Sequence, residues 1–195
     1  MSNMDNRDFL PQKGNYRGLI VYQKAECIYD ITYYFANTYF RKGDRTIDQM
    51  VQAARSGKQN IAEGSAASST SRESEIRLTN VAKSSFQELL VDYEDYLRVR
   101  GLVQWPEGDE RLEKTRSIGR KHNDSAYYRE AVTKRSDETI ANIAIVLIKQ
   151  EDYLLHQLIE RLKQDFLENG GIREEMSRAR REHRDGKKGK GWQGL

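Results

Sequence analysis

A helix end followed at once by a capped helix start constrains the fold more than any other feature of this sequence. Residues 53–63 have helical spacing, and Gly64 stands where a left-handed glycine would stop a helix. The serine-rich stretch 65–71 then turns the chain, and Thr70 with Glu73 has the spacing of a capping box. We therefore expect two long helices joined by a tight corner.

Helical spacing of apolar residues continues on both sides of this corner. It predicts long helices at about 18–40, 44–63, 71–100 and 136–168, and the last begins after a good N-cap, Ser136. Two prolines in 195 residues also favour helices. The predicted fold class is all-α: an antiparallel four-helix bundle with an inserted segment before the fourth helix and a short C-terminal helical suffix.

Composition divides the chain into three parts: a disordered leader at 1–15, the helical bundle at 16–168, and a basic helical suffix with a flexible tail at 169–195. Within the bundle, residues 103–134 are charged and weakly periodic. They predict a surface insertion with one short helix near 109–120. The suffix predicts a short helix from 172 to about 183, followed by a Gly/Lys-rich end.

The first predicted helix carries two apolar stripes. One contains Val21, Ala25, Ile28, Thr32, Phe35 and Tyr39, and the other contains Tyr22, Tyr29, Tyr33 and Phe40. Together they cover roughly 160°, which exceeds the ~100° face of a helix with one buried side. Either the helix lies deep inside the bundle, or the second stripe is an interface with another subunit.

Residue types argue against catalysis and metal binding. One cysteine, Cys27, excludes an intramolecular disulfide and fits a reducing cytoplasm. No Glu-x-x-His motif precedes any of the three histidines, His122, His156 and His183, so a di-iron site is excluded. Asp152 and His156 have the spacing of a surface pair. We predict no catalytic residue, no metal and no cofactor.

The longest apolar run, residues 143–148, is much shorter than the ~20 residues of a membrane span. We therefore expect a soluble, cytoplasmic protein with no membrane partner.

Three polar residues of the corner are Asn60, Glu63 and Glu75. They are either functional or structural, and capping of the corner is the favoured interpretation. Glu75 falls on the apolar side of its helix and needs a partner, for which Arg55 and the Asn60 amide are candidates. Glu151 falls in the apolar sector of the last long helix, where it can pair with a neighbouring helix.

Positive charge is concentrated at two places. The predicted nucleic-acid-binding residues are Arg41, Lys42, Arg45, Arg55 and Lys58 near the second helix, and Arg173, Arg178, Arg180, Arg181, Arg184, Lys187, Lys188 and Lys190 in the suffix. From residue 173 onward, eight Lys/Arg face four Asp/Glu, so this part carries +4 while the whole chain carries +3. Such asymmetry suggests an anionic partner, although solubility alone also explains it.

Several segments together resemble one bacterial family. They are LIVYQKA at 19–25, QMVQAARS at 49–56, NIAEG at 60–64, SRESE at 71–75 and AKSS at 82–85. This pattern resembles the four-helix-bundle proteins encoded by intervening sequences in bacterial 23S ribosomal RNA genes. Relatives of that family are accessory proteins beside the reverse transcriptases of diversity-generating retroelements. Residues 170–174 look like the extension of a longer "four helix bundle suffix" subgroup.

The resemblance implies a homopentamer that binds nucleic acid or a reverse transcriptase through basic surfaces. The chain departs from the family at Tyr22, where Trp is usual, and in residues 103–134 and the ending from 169, which short members lack. We expect a homo-oligomer whose partners are RNA or DNA and a reverse transcriptase. The alternative is a protein-interaction scaffold that does not bind nucleic acid.

Overall fold

The chain is helical along almost all of its described length. The computed structural model describes residues 15–190, without the side chains of 169, 172, 173, 175 and 185–190. Residues 15–190 form one turn of 3-10 helix at Tyr16–Gly18, no strand, and seven α-helices: α1 Ile20–Tyr39, α2 Arg45–Ala67, α3 Arg72–Val99, α4 Glu110–Lys121, α5 Ser125–Val132, α6 Asp137–Asn169 and α7 Ile172–Lys190. The all-α prediction is confirmed. The predicted leader, apart from Asn15, lies outside the described residues.

Four of these helices share one apolar core. α1 packs against α2 and α6, and α3 packs against the same two helices. The largest fully buried side chains include Ile28, Phe35, Met50, Phe86, Leu89, Tyr93, Leu147 and Leu155. Each such side chain contributes roughly 1.5–3 kcal/mol by leaving water, so this core is the main source of stability.

Polar contacts between α3 and α6 lie at both ends of the two helices. Tyr96, near the end of α3, donates a hydrogen bond to Asp137 at the start of α6 over 2.9 Å. Arg72, the first residue of α3, forms an ion pair with Asp165 near the end of α6. Polar side chains therefore join α3 and α6 at two well-separated places.

The corner between α2 and α3 differs from the prediction at Gly64. α2 continues through Gly64 to Ala67, and the φ angle of Gly64 is not positive. A methyl group on Gly64 would lie 3.4 Å from the Glu75 carbonyl oxygen and 3.4 Å from Leu78 Cβ. The prediction that Gly64 stops the helix is wrong, because this glycine instead lets α3 come close to α2.

The predicted cap of α3 is displaced by one residue. Ser71 Oγ accepts a hydrogen bond from the Ser74 backbone N–H at 3.1 Å and donates one to Glu73 Oε2 at 3.1 Å. Thr70 Oγ1 donates instead to the Ala67 carbonyl oxygen of α2 at 3.1 Å. Ser71 is therefore the N-cap of α3, and the prediction of Thr70 is wrong.

The predicted partners of Glu75 are also wrong. The Asn60 amide donates to the backbone carbonyl one turn earlier at 2.9 Å, and Arg55 is exposed without an ion pair to any described carboxylate. Glu75 is half-buried, and burial raises the pKa of its carboxyl, opposed by the charges of Arg72 and Arg161. The charges that act on Glu75 thus come from α3 itself and from α6.

Residues 103–134 are part of the packed structure and not only a surface insertion. They contain the predicted α4 and a second helix, α5, which packs on α1. The Trp105 backbone N–H donates to Asn142 Oδ1 at 2.8 Å, and Trp105 is buried. Tyr128 and Val132 of α5 are buried one turn apart, and Asp124 caps this helix. This spacing and cap were the sequence signal for α5.

A buried lysine joins three helices. Lys24 of α1 is 3% exposed, and its Nζ donates to the Gly119 carbonyl oxygen at 2.6 Å and to Gln150 Oε1 at 3.4 Å. Gly119 belongs to the last turn of α4, whose carbonyls carry partial negative charge. Gln150 of α6 in turn donates to the Arg116 carbonyl oxygen at 2.9 Å. This cluster holds α4 against α1 and α6.

A carboxyl group is buried beside this cluster. Glu151 is 0% exposed, and neither of its carboxyl oxygens has a hydrogen-bond partner among residues 15–190. Burial raises the pKa of Glu151 well above its ordinary value of 4.5, although the charge of Lys24 opposes the shift. The neutral, protonated form of Glu151 is therefore favoured, and the expected pairing with a neighbouring helix is not formed as an ion pair.

The cap assignment predicts a difference between two neighbouring substitutions. We expect Ser71→Ala to lower the free energy of unfolding by about 1 kcal/mol, because an N–H at the start of α3 loses its acceptor. Thr70→Ala removes a hydroxyl that caps no helix start, so its effect should stay within about 0.5 kcal/mol. Urea denaturation of both variants measures this, and an equal loss in the two would contradict the assignment.

The buried Glu151 predicts a pH-dependent stability. The native chain keeps a proton on Glu151 that the unfolded chain releases above about pH 4.5, so stability falls as pH rises through this window. Glu151→Gln removes this loss. We expect its stability relative to the parent to increase with pH, by up to roughly 1.4 kcal/mol per pH unit. Urea denaturation at pH 5, 6, 7 and 8 measures the difference.

The exposed Glu63 provides the matched control for this experiment. We expect the stability of Glu63→Gln relative to the parent to change much less with pH than that of Glu151→Gln. A Glu151→Gln difference that is constant from pH 5 to pH 8 would show that Glu151 is ionised in the native chain.

Candidate nucleic-acid interface

Three of the predicted basic residues lie at the turn between α1 and α2. Arg41, Lys42 and Arg45 are all exposed. Gly43 has a φ of +90°, a conformation that favours glycine, and it allows the chain to reverse within a few residues. Asp44 then caps α2 by accepting the Thr46 backbone N–H at 2.9 Å, which also lowers the pKa of its carboxyl. The turn therefore holds three cations around a helix start.

A fourth cation at this place comes from α3. Arg100 directly follows α3, and its guanidinium carbon lies 3.7 Å from the centroid of the Tyr96 ring and 5.2 Å from that of Phe40. Its charge also lowers the pKa of Asp44. Arg100 is thus placed beside the α1–α2 turn. Sequence reasoning missed it, although a basic residue just before Gly101 at a helix end was a usable signal.

We name the surface formed by Arg41, Lys42, Arg45 and Arg100 the basic end. Two exposed carboxylates at the start of α2, the N-cap Asp44 and Asp48, accompany these four cations, so the six residues together carry a net charge of +2. An arginine stacked on aromatic rings keeps its N–H groups available at the ring edges, and such stacking contributes about 0.5–1 kcal/mol at exposed sites. At the basic end, the Arg100 guanidinium is therefore held in a defined orientation, but the net charge of the surface is low.

The other two predicted cations of α2 lie away from the basic end. Arg55 is exposed, ten residues beyond Arg45, which corresponds to roughly 15 Å along the helix. Lys58 is half-buried, and its Nζ lies 4.2 Å from the centroid of the Tyr29 ring of α1. Lys58 therefore packs on a neighbouring helix and does not extend the basic end.

The basic suffix lies at the opposite end of the long helices. α6 ends at Asn169 and is followed by Gly170, whose φ is +76°. A methyl group on Gly171 would lie 3.9 Å from Glu73 Oε1 at the start of α3. α6 has 33 residues, or roughly 50 Å, and its start contacts the α3 end that carries the basic end. One protomer therefore does not unite the suffix and the basic end in a single surface.

Within the suffix, the structure describes only part of the predicted set. Four arginine side chains on α7 are exposed: Arg178, Arg180, Arg181 and Arg184. The side chains of Arg173, Lys187, Lys188 and Lys190 lie outside the described ones. α7 extends to Lys190, so the prediction that this helix ends near residue 183 is wrong.

The predicted interface residues have unequal exposure. Tyr33 is 55% exposed, whereas Tyr22, Tyr29 and Phe40 are half-buried and pack against the core. Tyr29 and Tyr33 line a groove of about 530 Å³ between α1 and α5, together with Tyr34. The sequence left two alternatives, a first helix deep inside the bundle or a second stripe that contacts another subunit. Neither applies in full, because three residues of the second stripe are half-buried within the chain and Tyr33 is exposed.

The remaining polar candidates are Cys27, Asp152 with His156, and Glu63. Burial raises the pKa of the Cys27 thiol to about 12, so it stays protonated. Asp152 accepts a hydrogen bond from Gln87 at 3.1 Å and lies 3.6 Å from Lys83, both on α3. The predicted surface pair of Asp152 with His156 is therefore wrong. Glu63, at the corner, is exposed.

No protein-family model, curated protein or solved structure matches the chain. The resemblance noted in the sequence therefore stays a prediction. Among residues 15–190, no helix combines the length and the apolar character that crossing a membrane requires.

Proposed function

We propose that this chain is a non-catalytic, cytoplasmic homo-oligomer that binds RNA or DNA through its basic end, as an accessory to an RNA- or reverse-transcriptase-related process. The observation that carries the proposal is the placement of Arg100 over Tyr96 and Phe40, beside the turn that contains Arg41 and Arg45. Cations from two different helix ends then meet at one surface. A phosphate backbone binds where several cations lie close together, because each neutralised phosphate releases condensed counterions.

The proposal includes a defined architecture, in which α1, α2, α3 and α6 form an antiparallel four-helix bundle. The packing of α1 and α3 against both α2 and α6 supports it. The contacts of Tyr96 with Asp137 and of Arg72 with Asp165 support opposite directions for α3 and α6. In this arrangement α4 and α5 are the inserted segment, and α7 is the suffix.

The weak charge of a single copy is one reason to propose an oligomer. With a net charge of +2, one basic end resembles many solvated protein surfaces. A closed ring, a pentamer according to the resemblance, would repeat it as a continuous basic band. The exposed Tyr33 and the groove that it lines supply an apolar contact for a second copy, because tyrosine is enriched at protein interfaces.

The same surface argues for binding without sequence selection. The four cations of the basic end lie at helix ends and in a turn, so they do not form a row along one helix that could enter a groove and contact base edges. Hydrogen bonds to phosphate orient a protein on nucleic acid but carry no sequence information. We therefore expect RNA or DNA of different sequences to bind with similar affinity.

Neutralising the basic end should weaken binding and its dependence on salt. We expect the triple variant Arg41→Gln, Lys42→Gln, Arg45→Gln to bind a structured RNA at least about tenfold more weakly than the parent. The slope of log affinity against log salt should fall by roughly 0.7–0.9 for each phosphate that the variant no longer neutralises. Fluorescence anisotropy with labelled RNA at several salt concentrations measures both quantities.

A matched variant separates a local effect from a change in net charge. Lys114→Gln, Lys121→Gln and Lys163→Gln remove three exposed cations outside the basic end and should leave the slope unchanged. Arg180→Gln with Arg181→Gln reports separately on the suffix. If the parent protein shows no salt-sensitive binding at low ionic strength, the interaction scaffold replaces the nucleic-acid proposal.

The proposed oligomer interface can be tested at Tyr33. We expect light scattering to give a multiple of the protomer mass for the parent. Tyr33→Ser should give a lower mass, because it removes the aromatic ring that would be buried against a second copy. Tyr153 is 62% exposed on α6 and provides the control, since Tyr153→Ser should not change the mass. A monomeric parent would overturn the proposed ring.

A further inference from the structure

A cavity of about 520 Å³ lies between α6, the start of α1 and residues 104–123. Its volume is within the ~300–1,000 Å³ that small-molecule sites occupy. Much of its wall is apolar and is formed by Ile20, Leu112, Ile145, Val146 and Leu154. None of the residues proposed to bind nucleic acid lines it, so this cavity is a separate feature of the molecule.

The charged residues of the cavity wall are mainly cations. They are Lys24, Arg116, Arg120 and Lys149, with Glu107 as the one carboxylate of the described lining. Arg116 is neutralised by Glu107 at 2.6 Å and by a second ion pair on α4, and Lys149 lies 3.5 Å from a carboxylate of α3. Within residues 15–190, Lys24 and Arg120 form no ion pair. The wall therefore has an excess of positive charge.

Lys24 is the deepest of these cations and has one unused donor. Its ammonium carries three hydrogens, and its two acceptors in the described chain are the Gly119 carbonyl and the Gln150 amide oxygen, both uncharged. A buried charge is costly unless it is paired. An acceptor with a negative charge at this position would both use the third hydrogen and pair the charge.

Glu151, the one carboxyl group that acts electrostatically on Lys24, does not supply this negative charge. It makes no hydrogen bond to any described residue and does not line the cavity. Its burial favours the neutral acid. The pairing partner of Lys24 is thus missing from the described chain itself.

We infer that the cavity binds a small organic carboxylate with an apolar body. The carboxylate accepts a hydrogen bond from Lys24 Nζ, and the apolar body lies against Leu112, Ile145 and Leu154. Arg120 is exposed at the rim and attracts the anion from solvent. An uncharged ligand of the same shape leaves Lys24 unpaired, and a cationic one is repelled by it.

Trp105 provides a reporter within this cavity. It is 6% exposed and lines the wall, and the chain has only one other tryptophan, Trp192. The variant Trp192→Phe therefore leaves a single tryptophan, at the site. Octanoate, octanol and octylammonium share one apolar chain and differ in the charge of the head group. Each is titrated below the concentration at which it self-associates.

We expect octanoate to bind at least about tenfold more tightly than octanol, because only the carboxylate pairs the charge of Lys24. Octylammonium should bind most weakly. Equal affinity for octanoate and octanol, or no fluorescence change with octanoate at any concentration, would overturn the inference. This comparison uses protein without any substitution in the cavity wall. It therefore tests the inference even if a substitution such as Lys24→Met impairs folding.

Lys24→Met then tests the residue that is proposed to hold the carboxylate. Methionine retains most of the length of the side chain without the charge, so octanoate affinity should fall about tenfold while octanol affinity stays within about twofold. Lys42→Met, at the basic end, is the control and should change neither. If Lys24→Met weakens both ligands equally, Lys24 only shapes the cavity and the inference fails.

Discussion

The buried ammonium of Lys24 is the interaction on which the placement of α4 depends. It reaches from α1 to the last turn of α4, where the Gly119 carbonyl accepts its hydrogen bond at 2.6 Å. A side chain at residue 119 would contact the Gln150 amide, so Gln150 would have to move away from Lys24. The same hydrogen bond that docks α4 also closes one side of the cavity and leaves a positive charge in its wall.

The two proposed functions arise from different consequences of helix packing. At the basic end, the α1–α2 turn meets the end of α3, and Arg100 is oriented by the rings of Tyr96 and Phe40. At the cavity, α4 leaves a space against α1 and α6, and Lys24 lies in the wall of that space. A surface for a large polyanion and a pocket for a small anion can therefore exist in one chain without sharing residues.

Local rules worked best where the deciding interaction is local, although they placed the cap of α3 one residue too early. Ser136 was recognised as the cap of α6, and it accepts the Thr139 N–H at 3.3 Å, because capping involves residues three apart. Gly64 was harder to interpret. A methyl group on Gly57 would lie 2.5 Å from the Phe86 ring, so this glycine too serves close approach between α2 and α3. The sequence does not show whether a glycine ends a helix or allows another helix to pack closely against it. Only the position of the neighbouring helix shows which role the glycine has.

The sequence by itself determined the all-α class and the positions of the four long helices, because apolar spacing and caps are properties of short segments. It also showed which parts of the chain are basic. Only the tertiary structure decided that Arg100 belongs with Arg41 and Arg45, that the suffix is remote from them, and that Lys24 lines a cavity. These are relations between residues far apart in the chain, such as the 95 positions between Lys24 and Gly119. Packing sets such relations, and no local pattern encodes them.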